Sequence, residues 1–176
     1  MPGLFIYLIG VTVLFQRLGE LKVHRDNVRF LEFIGGLEVG RPLSRLYMSL
    51  DIGAVVLLIT EAVVMPKSLF LWQKITGITM LFLGLLLRVW SRKTIGRYWS
   101  LRLFIAPQME VVSTGPYRFF PHPEYFSRFI ELLGLSLLLG SYFSFLLYSV
   151  CLFLLIPKLL RAETQQLQLL EEHQNG

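Results

Sequence analysis

The stretch LYMSLDIGAVVLLITEAVVM, residues 46–65, decides the fold class because it is long and apolar enough to cross a membrane as one helix. A helix that spans the hydrocarbon core needs about 20 mostly apolar residues. Only 16% of the chain is charged, whereas a soluble domain carries nearer a quarter. We therefore predict an all-α, multi-pass integral membrane bundle of about five transmembrane helices, folded as a single domain over residues 1–176. The other four stretches are Pro2–Phe15, Leu69–Val89, Tyr125–Leu139 and Tyr142–Leu160.

The basic residues predict the orientation of these helices. They concentrate in residues 16–45, in residues 88–124 and after the fifth stretch, while the opposite side carries essentially Lys67. Loops rich in Lys and Arg stay in the cytosol, which places the N-terminus outside and the C-terminus in the cytosol. Five spans satisfy that arrangement. Because the basic residues flank apolar spans, we expect membrane lipids as partners and no nucleic acid.

The segment GPYRFFPHPEY, residues 115–125, leads into the fourth stretch and has the least ordinary pattern in the chain. Pro121 and Pro123 flank His122, and Pro123 is well placed as the first residue of a helix. His122 would then stand at a helix N-terminus, where free N–H groups and the helix dipole favour an anionic ligand group. The pattern also allows a simple turn in which the histidine only caps the helix.

Charged residues inside the last two stretches are the other candidates for chemistry, because such residues face a bundle interior or a wet cavity. Glu124, Arg128 and Glu131 are spaced to share one helix face. Glu131 is deepest, where desolvation favours its protonated form and suits a proton acceptor. Alternatively, Arg128 neutralises either neighbour and only fixes helix packing. Arg161 and Glu163 either form a surface pair or turn inward onto a ligand.

The remaining polar and aromatic residues need no function. We expect Asp51 and Glu61 to reach the membrane surface from the two ends of their helix, and His24 to be solvated. No metal-ligand spacing is present, so no metal is predicted. Four aromatic residues are expected in the interfacial belt: Trp72, Trp90, Trp99 and Tyr142.

The proline–histidine segment, the hydrophobic hairpin after it and Arg161-Ala162-Glu163 resemble the isoprenylcysteine carboxyl methyltransferase family. Its pattern is roughly G-x-Y-R-x-x-R-H-P-x-Y, followed after the hairpin by R-x-E-E. Two earlier segments, Asn27–Gly40 and Arg97–Arg102, resemble a bacterial branch whose members include enzymes that O-methylate alkylresorcinols and alkylpyrones. The resemblance extends from about Arg17 to Leu167.

This resemblance implies a membrane enzyme that uses S-adenosylmethionine (SAM), with a cofactor-binding part over about residues 88–170. Arg161 and Glu163 would face the cofactor or the reacting oxygen, and Glu131 is the first candidate for a base. The residues implied in cofactor binding are Tyr117, Arg118, His122, Pro123, Tyr125 and Glu163.

Two positions depart from the family pattern. Pro121 replaces the arginine before the histidine, and Thr164 replaces the second glutamate of R-x-E-E. The first change removes a fixed cation that holds carboxylates, and the second removes an acceptor for the ammonium or ribose of the cofactor. Such changes fit an altered substrate, weaker cofactor binding or an inactive relative.

We therefore predict a SAM-dependent O-methyltransferase of a bacterial cytoplasmic membrane, with its active site facing the cytosol. Its acceptor would be lipid-tailed, either an isoprenylcysteine carboxylate or a long-chain phenol or pyrone. The alternatives are a phospholipid N-methyltransferase and an inactive membrane scaffold of the same fold. The sequence does not give the oligomeric state.

Overall fold

The computed structural model describes residues 2–105 and 112–175, and most of them lie in five α-helices. Two three-residue strands pair antiparallel, with Glu38 opposite Phe104, and so join the loops that follow α1 and α3. Short 3-10 turns occur at Gly96–Tyr98 and Gly115–Arg118. In chain order the main elements are α1 (Pro2–Phe33), β1 (Leu37–Val39), α2 (Arg41–Val64), α3 (Leu71–Ile95), β2 (Leu103–Ile105), α4 (Pro123–Leu139) and α5 (Tyr142–Asn175).

Three segments of the described chain are long and apolar enough to cross a membrane: Arg41–Val64, Leu71–Tyr98 and Tyr142–Gln166. Helix α4 has 17 residues. At 1.5 Å per residue it is about 26 Å long, less than the roughly 30 Å hydrocarbon core. The structure confirms a largely helical membrane protein, while the five crossings and the orientation of the termini stay predictions.

The distribution of exposed side chains is the reverse of that in a soluble protein. Phe143 and Phe153 on α5 are 68% and 78% exposed, whereas Arg17, Arg88 and Arg128 are at most 1% exposed. Charged residues of soluble domains are almost never buried so fully unless they are paired. Apolar residues outside and paired charges inside suit a surface covered by lipid.

Glycines bring α3 and α4 into close contact. A Cβ atom built on Gly84 of α3 would stand 2.7 Å from the backbone nitrogen of Glu131 and 2.8 Å from the carbonyl oxygen of Ser127. Gly77 meets the carbonyl oxygen of Gly134 in the same way, at 2.9 Å. Small residues allow helix backbones to approach closely where burial in lipid provides no hydrophobic driving force. This contact fixes the position of the charged α4 face relative to α3.

The predicted hairpin between the fourth and fifth stretches is confirmed. Gly140 ends α4 with a φ of 72°, a left-handed conformation that glycine adopts without strain. Lys67 donates to the Gly140 carbonyl at 2.8 Å and to Oε1 of Glu61 at 3.2 Å. The expectation that Glu61 reaches the membrane surface was therefore wrong. Its side chain is buried and paired at the end of the bundle away from His122.

Helix α1 differs most from expectation, because it continues to Phe33 instead of ending near Phe15. Its buried positions recur every three or four residues: Val13, Arg17, Glu20, His24, Val28 and Leu31. This spacing gives a continuous buried face, which holds charged side chains in its middle turns. The charges looked like a loop in the sequence because their partners lie on other helices.

His24 and Trp99 are both buried, whereas they were expected to be solvated and interfacial, respectively. His24 is buried, and its Nδ1 accepts a hydrogen bond from the Leu101 N–H at 3.2 Å. Burial, aided by the nearby Arg102 guanidinium, lowers the pKa of His24 to about 4. Trp99 is also buried, beneath the Arg92 guanidinium at 4.1 Å, and so is not an interfacial belt residue.

Candidate functional site

His122, at the start of α4, and Glu163, on α5, lie close together. His122 Nε2 lies 3.7 Å from Glu163 Oε2, and the two side chains are 35% and 26% exposed. His122 precedes the helix as its N-cap, but its side chain makes no capping hydrogen bond within the described chain. His122 therefore occupies the position of a cap without making the side-chain hydrogen bond of one. The histidine and the glutamate form an accessible polar pair.

Of the four other residues implied in cofactor binding, Tyr125 and Pro123 lie next to this pair. The Tyr125 ring tilts against the His122 ring, with 5.8 Å between their centroids. Pro123 is fully buried and opens α4, as expected. Tyr117 lies in the preceding 3-10 turn, where burial raises its pKa to about 12, so its hydroxyl stays a donor at neutral pH. Arg118 ends the same turn and is exposed.

Arg161, and the two positions that depart from the family pattern, Pro121 and Thr164, do not contact the His122–Glu163 pair through their side chains in the described residues. Arg161 is exposed on α5. Because residues two apart on a helix do not share a face, it points away from the side on which Glu163 meets His122. The Thr164 hydroxyl bonds the Leu160 carbonyl of its own helix at 3.0 Å, so it does not replace a second carboxylate. Pro121 is exposed beside His122.

A buried charge cluster occupies the centre of the bundle near this pair. The Glu20 carboxylate forms ion pairs with the guanidiniums of Arg88, Arg92 and Arg128, with N–O distances of 2.9, 2.6 and 3.0 Å. Arg128 also binds Asp51 and, at 3.2 Å, Glu124. The four guanidiniums equal the four carboxylates in number. The cluster consists of Arg17, Glu20, Asp51, Arg88, Arg92, Glu124, Arg128 and Glu131.

Glu131 belongs to this cluster and is separate from His122. It binds Arg88 and lies 3.4 Å from Arg17 Nη2. Of the two neighbours that Arg128 could neutralise on α4, it pairs in the described residues with Glu124 and not with Glu131. Glu131 is eight residues beyond Pro123, which is about 12 Å along the helix. The candidate base therefore lies about two turns of α4 away from the candidate cofactor residues at the start of that helix.

Sequence reasoning missed the contributions of Arg17, Glu20, Asp51 and Arg88 to this centre. Asp51 was expected at the membrane surface but is 2% exposed and paired with Arg17 and Arg128. A signal existed on α1, since Arg17 and Glu20 continue the three-to-four-residue spacing of its buried apolar positions.

Comparisons with known proteins agree with this architecture. The profile of the "Isoprenylcysteine carboxyl methyltransferase (ICMT) family" matches residues 77–169, which contain both His122 and Glu163. An "Uncharacterized protein YpbQ" from Bacillus subtilis (strain 168) is 30% identical over 166 residues, covering 94% of this chain and 97% of that protein. No solved structure matches the chain. The chain is therefore an integral membrane protein that belongs to the isoprenylcysteine carboxyl methyltransferase family.

Proposed function

We propose that this protein uses SAM to methylate an oxygen atom of a lipid-tailed acceptor. The observation that carries the proposal is the accessible His122–Glu163 pair, which joins the start of α4 to α5 inside the family-matched segment. The membrane methyltransferase activity follows from the family. The acceptor, the oxygen specificity and the role of each residue are our proposals.

The residues around the pair fit the polar parts of SAM. Glu163 offers a partly exposed carboxylate, the acceptor that a ribose hydroxyl or an ammonium group needs. The N–H groups of the first turn of α4 suit the cofactor carboxylate, and the Tyr125 and Tyr117 rings supply apolar surface. When bound, SAM would supply a sulfonium methyl group for the acceptor oxygen, with the electron pair of the broken S–CH₃ bond staying on sulfur, and a protonated acceptor would give its proton to a base, for which we propose Glu131.

The surface of the bundle provides separate routes for the two substrates. His122 and Glu163 are open to the side on which the long basic loops lie, so a water-soluble cofactor reaches them there. The outward faces of α2 and α5 are apolar, with Leu57, Val64 and Phe153 exposed, and a lipid tail can lie against them. We propose that the site faces the cytosol of a bacterial cytoplasmic membrane. Glu131 stays our candidate for the base, although it is paired with Arg88 and Arg17 and lies about 12 Å along α4 from Pro123.

Calorimetric titration of detergent-purified protein with SAM tests the cofactor proposal. We expect binding by the intact protein, and a dissociation constant about 10- to 100-fold higher for Glu163→Gln, which loses one charged hydrogen-bond acceptor worth about 1.5–3 kcal/mol. His122→Ala should weaken binding as well. Gln165→Ala is the matched control, because Gln165 is exposed on the same turn of α5.

Two results would overturn parts of this proposal. If the intact protein fails to bind SAM, the chain is an inactive scaffold of the family fold. If membranes incubated with methyl-labelled SAM carry the label on phospholipid amines, the acceptor atom is nitrogen and the protein is a phospholipid N-methyltransferase. Label on an alkali-stable ether or a labile ester would support an oxygen acceptor.

A further inference from the structure

The carboxylate of Glu124, in the first turn of α4, has one oxygen that is bound and one that is free. Its Oε1 accepts hydrogen bonds from Nε and Nη2 of Arg128, at 3.3 and 3.2 Å. Its Oε2 is buried and has no hydrogen-bond partner in residues 2–105 and 112–175. Buried polar atoms of native proteins are normally satisfied, so Oε2 needs a donor from outside the described residues.

Glu124 lies among the candidate cofactor residues. It stands between Pro123 and Tyr125 in the chain, and the Tyr125 ring contacts His122. The Tyr125 hydroxyl is within electrostatic range of both Glu163 and Glu124. Tyr117 is also near, because burial and the negative charge of Glu124 together raise the pKa of Tyr117 to about 12. The free oxygen therefore belongs to the same part of the molecule as the His122–Glu163 pair.

Glu131 has an oxygen that looks similar but is differently placed. Its Oε2 also lacks a hydrogen bond within the described chain, yet the guanidiniums of Arg88 and Arg17 lie against it. The Glu131 side chain is 1% exposed, whereas that of Glu124 is 16% exposed. Glu124 is thus at the edge of the buried charge cluster, on the side where a ligand can enter.

The charge around Glu124 restricts the kind of donor that fits. The cluster to which Glu124 belongs is already neutral, with four guanidiniums and four carboxylates. A lone cation would leave one unmatched positive charge beside Arg128, which is unfavourable in a buried setting. The end of a free amino acid carries an ammonium and a carboxylate on one carbon, so it brings a strong donor without a net charge.

The amino-acid end of SAM is such a group. Its ammonium can donate to Glu124 Oε2 and lie against the Tyr117 and Tyr125 rings, since aromatic faces attract cations. Arg128 holds Oε1 of Glu124 through two hydrogen bonds and so fixes the direction of Oε2. Glu163 is more exposed, with 26% of its side chain accessible, and has the His122 ring beside it. It suits an uncharged diol better than a buried ammonium.

We propose that Glu124 binds the ammonium group of SAM and that Glu163 accepts the ribose hydroxyls. This inference rests on the proposed function and assigns two parts of the cofactor to two carboxylates. Arg128 is a positioning residue for Glu124. The buried charge cluster is then one wall of the cofactor site, because Glu124 belongs to both.

Three ligands test the assignment by calorimetric titration of the full chain in detergent. They are S-adenosylhomocysteine, its deaminated analogue S-adenosylmercaptobutyrate, which lacks only the ammonium, and methylthioadenosine, which lacks the whole amino-acid end. We expect the intact protein to bind S-adenosylhomocysteine about 10-fold or more tightly than the deaminated analogue, because that analogue leaves a buried carboxylate oxygen unpaired. Glu124→Gln should bring this affinity ratio close to 1, chiefly by weakening S-adenosylhomocysteine.

Two further variants make the test specific. Glu124→Asp keeps the charge balance of the cluster but withdraws the oxygen by one methylene, so it should lower the ratio even if Glu124→Gln fails to fold. Glu163→Gln is the matched comparison. It should weaken all three ligands, methylthioadenosine included, by similar factors and leave the ratio at its value in the intact protein.

The outcomes separate this inference from the proposed function. Equal binding of S-adenosylhomocysteine and its deaminated analogue by the intact protein would overturn the inference. A ratio unchanged in the folded Glu124 variants, or a ratio lost in Glu163→Gln instead, would also overturn it. If the intact protein binds none of the three ligands and no SAM, the proposed function fails.

Discussion

Replacing Glu131 with glutamine tests whether this residue holds the bundle together or removes a proton in catalysis. Glu131 is 1% exposed and binds Arg88 and Arg17. Glutamine keeps the shape of the side chain but removes its charge, leaving four guanidiniums against three carboxylates in the buried charge cluster. Breaking a buried ion pair in this way costs about 3–5 kcal/mol, because the remaining charge is uncompensated.

A second substitution restores the balance of charge. Arg88→Met combined with Glu131→Gln leaves three guanidiniums and three carboxylates, and methionine fills part of the space left by Arg88. Replacement of both members of a buried pair is often close to neutral. We expect the double variant to recover most of the loss in stability, although the two positions are in contact and their effects do not add.

Thermal unfolding in detergent, followed by the loss of the monodisperse peak, measures both effects. At roughly 2–4 °C per kcal/mol for a chain of this size, Glu131→Gln should lower the Tm by about 6–20 °C, and the double variant should regain most of that. An unchanged Tm in Glu131→Gln, or a double variant less stable than both single ones, would refute the structural role. If methyl transfer is lost while the Tm is unchanged, Glu131 acts as the base.

Two further predictions concern helix packing and pH. Gly84→Ala should destabilise the protein by about 1–3 kcal/mol, because its Cβ atom meets the backbone of α4, which is unable to move aside. Gly53→Ala is the control, since a Cβ atom there meets nothing within 4 Å, and it should be neutral or slightly stabilising. Equal Tm values for the two variants would contradict the close contact between α3 and α4. His24 should make stability fall as the pH is lowered from about 6.5 toward 4, since its pKa is lowered to about 4 in the folded protein and unfolding then takes up a proton. His24→Asn keeps an acceptor for the Leu101 N–H without titrating, so its Tm should fall less between pH 7 and pH 5, and an identical fall would contradict this account.

The helices themselves were predictable from local sequence, and most of the long-range pairing was not. An apolar stretch falls on each of the five helices of the described chain, although α1 continues to Phe33, and Gly140 marked the α4–α5 hairpin. The structure also brings together His122 and Glu163, two residues that the resemblance separately implied in cofactor binding. These features depend on composition, on turn chemistry or on a pattern carried by neighbouring residues.

The charged centre was misread because its members are far apart in sequence. Arg128 and Glu20 are separated by 108 positions. Arg17 and Arg88 were counted among the loop residues that orient the chain in the membrane, yet both are buried and paired. A guanidinium at a helix end looks the same in sequence whether it meets lipid head groups or a carboxylate on another helix. Only the three-dimensional arrangement distinguishes the two.

The charge balance of the cluster also has a consequence for the order in which the chain is assembled during synthesis. The first three helices contribute three arginines and two carboxylates, and so carry one unmatched positive charge between them. Helix α4 brings Arg128 with Glu124 and Glu131, and so carries one unmatched negative charge. Each half is electrostatically incomplete in a nonpolar medium until the other is present. We therefore expect the nascent protein to reach its resting arrangement only after α4 has packed against the first three helices, and a charge lost on either side of that division to be compensated best by a change on the other.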